Sequence, residues 1–183
     1  MKVLVLYWTK TGNTGKVART IYKSVTEMGV DAVIKMVEEA KEEELHRYDL
    51  IFLGSPSYYW LPPEPVRNYI NENMKLLRSR GDIKLGAPQI PGKSGIVFCT
   101  YSGPHTGINE AIPAGKFLGQ FLEHIGFDVK DEWYVVGEFH NREDLSTNGR
   151  LGNIKGRPNA DDLYEIGRRT EVLLKSLLQG SIK

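Results

Sequence analysis

Five short apolar runs, each followed by a longer stretch of helical periodicity, limit what this chain can fold into. Val3 to Tyr7 is continuously apolar, with β-branched and aromatic residues and no polar alternation. A run that short and that uniform reads as a strand buried on both faces. Val30 to Val37 alternates loosely and predicts a second strand. Leu50 to Leu53 predicts a third, closed by Gly54, Gly95 to Thr100 a fourth, and Phe127 to Val136 holds a fifth. Between them, Val17, Ile21, Val25 and Met28 recur at helical spacing before a stop at Gly29. Val66, Ile70, Met74 and Leu77 make a second stripe, entered through Pro62, Pro63 and Pro65, where the first helical turn has no use for a proline N–H. A helix over 113–125 carries Phe117, Leu118, Phe121, Leu122 and Ile125 on one side, stopped by Gly126. Asn159 is placed to cap a last helix over 159–178, with Leu163, Ile166, Leu173 and Leu177 facing in. The alternation predicts an α/β three-layer sandwich, a parallel sheet of five strands covered by helices on both faces. Two strand orders are common for such a sheet, and periodicity does not choose between them. Glu38 to Glu44, with five Glu and one Lys, reads as a solvated loop or helix start. Residues 79–93 read as a polar loop and 137–158 as an irregular stretch longer than most connections.

No shift in composition divides the 183 residues, so one domain over 1–183 is expected. Lys and Arg number 24 against 23 Asp and Glu, a net charge of +1. Such a balance lacks the global field that non-specific binding to nucleic acid or to a charged surface needs, so no nucleic-acid partner is expected. The one Cys excludes an internal disulfide framework and there is no Cys cluster for zinc. His46, His105, His124 and His140 have no metal-ligand spacing, so no metal site is expected. Low cysteine usage fits a reducing compartment, and neither a signal peptide nor an apolar stretch of membrane-spanning length is visible. The expected location is cytoplasmic, with no membrane span.

In either strand order the ligand lies at the carboxyl ends of the strands. The loop after the first strand is Thr9-Lys10-Thr11-Gly12-Asn13-Thr14-Gly15, leading straight into a helix. Unpaired N–H groups and the dipole at a helix start favour a phosphate. Glycines let the backbone come close, and Thr hydroxyls add donors without bulk. The plainer reading is a polar turn with an ordinary N-cap. Other phosphate motifs are missing. No G-x-G occurs, and Gly86 to Ser94 (GAPQIPGKS) has one residue too many between its glycines for a P-loop, two prolines in place of N–H donors, and a strand after it rather than before.

The pattern Val5-Leu6-Tyr7-x-Thr9-x-x-Gly12-x-Thr14-x-x-x-Ala18-x-x-Ile21 resembles the phosphate-loop signature of the flavodoxin family at every specified position. The order of strands and helices is similar to that family along most of the chain, less so in 79–93 and 137–158. The resemblance implies the strand order 2-1-3-4-5 and non-covalent binding of FMN. It implies that Thr9, Lys10, Thr11, Gly12, Asn13 and Thr14 hold the phosphate, mostly through neutral hydroxyls and backbone amides, so that the Lys10 ammonium need not touch it.

Two further loops are the candidates for holding a ring. Gly54 to Pro63 places Tyr58, Tyr59 and Trp60 side by side, and a flat apolar cofactor stacks well on such side chains. The same rings would also serve to cover an adjoining helix or an oligomer interface. Ser57 and the local N–H groups are placed to bond a polar ring edge. The resemblance makes Pro56, Ser57, Tyr58, Tyr59 and Trp60 flavin contacts. It gives Thr100, Tyr101, Ser102 and Gly103, after the fourth strand, the same role. His105 is either solvated or near a ring or substrate. Cys99, at the end of a buried strand, reads as a small hydrophobe. Arg142, Arg150, Arg157, Arg168 and Arg169 make the last third locally basic, a solvated face or a dock for an anionic partner. Glu138 to Arg157 is long enough to fold back as a lid.

Three functions follow from an FMN site. One is a flavodoxin-like electron-transfer protein serving a redox partner protein. The second is an FMN-dependent NAD(P)H:quinone-type oxidoreductase with a small-molecule acceptor. The third is a non-enzymatic sensor or assembly module, for which no positive feature is found. The usual carrier of the family has an acidic face around the flavin, and often a Gly after the third strand that lets a peptide flip toward N5. This chain is near neutral and has no Gly in positions 55 to 63. Both departures weaken the carrier reading. The aromatic, Pro-containing loop is similar to that of FMN-dependent quinone reductases and favours the oxidoreductase, although no NAD(P)H motif is visible.

Overall fold

The structure, a computed structural model, describes residues 1–180. Five parallel strands form one sheet: β1 (Lys2–Tyr7), β2 (Asp31–Met36), β3 (Leu50–Pro56), β4 (Ser94–Tyr101) and β5 (Asp128–Val136). Their order is β2-β1-β3-β4-β5, every neighbouring pair parallel. Five helices lie among them: α1 (Asn13–Glu27), α2 (Glu64–Ser79), α3 (Ile112–His124), the short α4 (Glu143–Thr147) and α5 (Ala160–Gly180). This is the flavodoxin-like α/β order that the sequence resemblance implied.

The two faces of β1 show why the strands are apolar throughout. Val3, Val5 and Tyr7 point to one side and pack with Val17, Ile21 and Val25 of α1 and with Ile166 and Leu174 of α5. Leu4 and Leu6 point to the other side, where Val66 and Ile70 of α2 and Leu118 and Leu122 of α3 cover them. Successive side chains of a strand alternate between faces, so a sheet with two helical layers needs apolar residues at every position.

β3 runs past its expected end. Gly54 does not close the strand, which continues through Ser55 and Pro56, both buried. Gly54 is paired with Tyr7 on one side and Phe98 on the other. A Cβ there would stand 2.0 Å from the Phe98 ring. The glycine marks a close approach between neighbouring strands, not a turn. β4 likewise carries Thr100 and Tyr101 inside the strand. The acidic run resolves into a 3-10 turn at Val37–Glu39, followed by Glu43, which pairs with Lys35 and accepts from the Tyr48 hydroxyl at 2.6 Å. Those two partners hold the Glu43 carboxyl below the usual carboxylate range. The last helix starts as its sequence predicts. Asn159 Oδ1 accepts from the Asp162 N–H at 3.0 Å, and Asp162 Oδ2 accepts from the Asn159 N–H at 2.9 Å, a reciprocal cap.

Four of the five late arginines are paired locally. Arg142 meets Asp144, Arg157 meets Asp162, and Arg168 and Arg169 share Glu165. Those pairs hold Glu165 down to about 2 and cancel most of the basic character expected of this region. Among the described residues, no helix is long and apolar enough to cross a membrane.

Candidate functional site

The carboxyl ends of β1, β3, β4 and β5 open into one cleft of about 890 Å³. That volume lies within the span of small-molecule and cofactor sites, roughly 300–1,000 Å³. Every predicted site residue except Gly12 lines it: Thr9, Lys10, Thr11, Asn13, Thr14, Pro56 to Trp60, and Thr100 to Gly103.

Gly12 shapes the loop instead. It is the N-cap of α1 with φ of +98°, a left-handed conformation that favours glycine, and no side chain caps the helix. The Gly12 N–H turns back to Thr9 Oγ1 at 3.1 Å. Asn13, Thr14 and Gly15, read from the sequence as loop, form the first turn of the helix, whose N–H groups have no intrahelical acceptor. No acidic residue occupies that turn. A carboxylate there would satisfy the dipole itself, so its absence leaves the positive end open to an anion. Thr11 is exposed on the loop, while Thr14 is buried and its hydroxyl lies 2.8 Å from that of Thr100. This contact joins the first loop to β4.

The aromatic loop is a tight turn. Tyr58 N–H donates to Leu61 O at 2.9 Å and Leu61 N–H returns to Tyr58 O at 3.2 Å. The two central residues, Tyr59 and Trp60, have φ of +49° and +66°. Positive φ at both central positions is type I′ geometry, which usually selects Asn-Gly. Left-handed backbone costs a non-glycine residue roughly 1–2 kcal/mol. The strain holds two large rings in solvent at the mouth of the cleft, Tyr59 at 89% exposure and Trp60 at 58%. Tyr58 lies lower, edge-on to Trp8 with ring centroids 6.3 Å apart. We expect Trp60→Gly to raise the stability of the flavin-free protein by about 1 kcal/mol in urea denaturation, because relief of strain outweighs the little burial lost. A fall in stability would mean that the Trp60 ring is needed for packing.

Glu110 holds the ring loops together. Its carboxylate accepts from the N–H groups of His105 at 2.8 Å and Thr106 at 2.6 Å, and its backbone carbonyl accepts from the Ser57 hydroxyl. Ser57 N–H also donates to Thr100 O at 2.9 Å. The Ser57 hydroxyl, expected at a ring edge, thus has a protein acceptor, and the His105 ring is on an exposed stretch. Burial pushes the Tyr58 and Tyr101 phenols up, so both stay neutral near pH 7. Burial also raises the Cys99 thiol, which leaves it a poor nucleophile.

The fourth wall is the one that sequence reasoning named least completely. Gly137 to Arg142 and Leu145 line the cleft. Within the stretch expected to be irregular, residues 143–147 are helical. The segment is tied down by Ser102 Oγ donating to Gly137 O at 2.8 Å and by Asn13 Nδ2 donating to Glu138 O at 3.0 Å. Its length was the signal in the sequence, but these partners are far away in the chain. Among the described residues, no cluster of His, Cys, Asp and Glu is arranged to hold a metal.

A sequence model described as "Flavodoxin domain" matches residues 4–82. A protein of Aquifex aeolicus named flavodoxin is 31% identical over 169 residues, covering 92% of this chain and 82% of that one. The chain belongs to the flavodoxin family. This flavodoxin-family chain is a redox protein by that membership. It is also 25% identical over 207 residues to a protein of Archaeoglobus fulgidus named NAD(P)H dehydrogenase (quinone), covering 96% of this chain and 98% of that one. The solved structure of a flavodoxin from the domain Archaea has the same fold, with a TM-score of 0.65 at 20% identity and coverage of 97% and 99%.

Proposed function

We propose that this chain binds FMN and transfers electrons, acting as one flavodoxin-like unit over 1–183 in the cytoplasm. The observation that carries the reading is the uncapped, acid-free start of α1 opening into the same cleft as the aromatic turn. The residues present fit the cofactor. Thr9 to Thr14 offer N–H groups and hydroxyls to a phosphate, and Pro56 to Trp60 with Thr100 to Gly103 offer apolar walls and backbone donors to a ring. Bound FMN supplies reversible electron or hydride chemistry, so no protein nucleophile is required. The chain's own residues orient the ring, exclude water and limit access. The test is to release the flavin from purified protein and identify it. FMN supports the reading, and a colourless protein that takes up no added FMN sinks it.

Within this reading the acceptor is the open choice. A docking redox protein is the first candidate. A small-molecule acceptor, with NAD(P)H as donor, is the second, and one observation favours it. The mouth of the cleft presents Tyr59, Trp60 and Phe139 to solvent rather than a ring of carboxylates. Exposed rings suit a flat apolar acceptor better than a charged protein face. The relative's name, NAD(P)H dehydrogenase (quinone), points the same way. Fast reduction of the FMN-loaded protein by NAD(P)H, with turnover on a quinone, is the expected result. No reduction by NAD(P)H, together with stepwise one-electron reduction by dithionite, would favour the carrier.

A further inference from the structure

The Asn13 side chain is nearly buried, and both ends of its amide are engaged by the segment after β5. Nδ2 donates to Glu138 O at 3.0 Å. That carbonyl accepts only, which assigns the amide nitrogen to that side and Oδ1 to the other, where His140 Nε2 lies 3.3 Å off and holds it. An amide oxygen accepts only, so the His140 proton on this side sits on Nε2. The other ring nitrogen, Nδ1, is 3.4 Å from Glu138 Oε1, and Glu138 Oε2 accepts from the Gly156 N–H at 2.6 Å. Gly137 completes the contact. A Cβ at that position would stand 2.7 Å from Asn13 Nδ2, so a side chain there would push the segment off the helix start.

Asn side chains readily bond backbone N–H groups close by in sequence, which is why they cap helices. Asn13 sits in the first turn of α1, beside the donors a phosphate needs. With Oδ1 held by His140, Asn13 does not turn back on those donors.

We propose that His140 is a positioning residue for the phosphate loop: by holding the Asn13 amide, it keeps the N–H groups at the start of α1 open to the phosphate of the flavin. The inference rests on the FMN reading and deepens it. It gives the segment after β5 a role in selecting a phosphorylated flavin over an unphosphorylated one.

The test compares wild-type protein, His140→Ala and His140→Gln, each freed of flavin and titrated with FMN and with riboflavin while flavin fluorescence is followed. His140→Ala is expected to weaken FMN by about fivefold to tenfold, the worth of one hydrogen bond, with riboflavin changed by less than about twofold. His140→Gln, whose Nε2 can donate to Asn13, is expected to recover most of the FMN affinity. Equal losses for both flavins would overturn the proposal, because a merely structural wall acts on the ring as well. Unchanged FMN affinity in His140→Ala, or no recovery in His140→Gln, would overturn it too. Wild-type protein that binds neither flavin would overturn the FMN reading, and the proposal with it. Wild-type protein that binds FMN while His140→Ala behaves identically would overturn the proposal alone.

Discussion

Thr11→Glu is expected to lower FMN affinity about a thousandfold and to leave the fold intact. Thr11 is exposed on the loop that enters α1 and lines the cleft, so the longer side chain has room and no core contact is lost. The loss is electrostatic. Two like charges about 4 Å apart at the edge of a protein interact with about 4 kcal/mol, roughly three factors of ten in affinity. The substituted carboxylate would also take up the helix N–H groups that the phosphate needs. Thr11→Ala is the control, with a loss of about fivefold for one hydroxyl. Titration of each flavin-free variant with FMN measures both. Equal affinity in wild type and Thr11→Glu would remove this loop from the site. Reduced salt should deepen the effect, because screening weakens exposed charges.

Gly54→Ala is expected to have the largest effect on stability. The added Cβ would stand 2.0 Å from the Phe98 ring, less than the distance any unstrained contact allows. Phe98 is fully buried against the α1 and α5 layer and is paired to Gly54 in register, so neither ring nor backbone can retreat cheaply. Overpacking of this kind costs about 1–3 kcal/mol and occasionally more, and an overlap with a ring that is itself fully buried in the core belongs at the upper end. Urea denaturation should show it as a lower midpoint at unchanged slope. Phe98→Leu provides the check. It should cost less in the Gly54→Ala background than in wild type, since the shorter side chain relieves the overlap. Strict additivity would mean that the strain is relieved elsewhere.

These two positions also show what the sequence made legible. The layers of the fold could be read because a parallel strand between two helical layers is apolar at every position, as in Val3 to Tyr7. The strand order could not be read that way and came with the resemblance at Thr9 to Thr14. The end of β3 was misplaced because glycine has two uses, a turn and a close approach, and only the neighbouring strand decides between them. Gly54 faces Phe98, which is 44 positions later and invisible to any local pattern. The same limit hid the fourth wall of the cleft. Asn13 was legible as a helix-start residue, but its partners Glu138 and His140 lie 125 and 127 positions away. Glu110 is illegible in the sequence for another reason. A single carboxylate in a loop carries no spacing signal, and its role rests on two N–H groups and a Ser57 hydroxyl brought to it by folding. The strain at Tyr59 and Trp60 is half legible, since the lack of a glycine in positions 55 to 63 shows in the sequence but the type I′ turn that two aromatics adopt does not.

FMN binding is the claim on which the rest depends, and a direct titration tests it. Flavin-free protein is added to FMN while flavin fluorescence is followed. The account predicts quenching that saturates at one FMN per chain, with Thr11→Glu showing none in the same range. Fluorescence that stays at the level of free FMN at every protein concentration would contradict it.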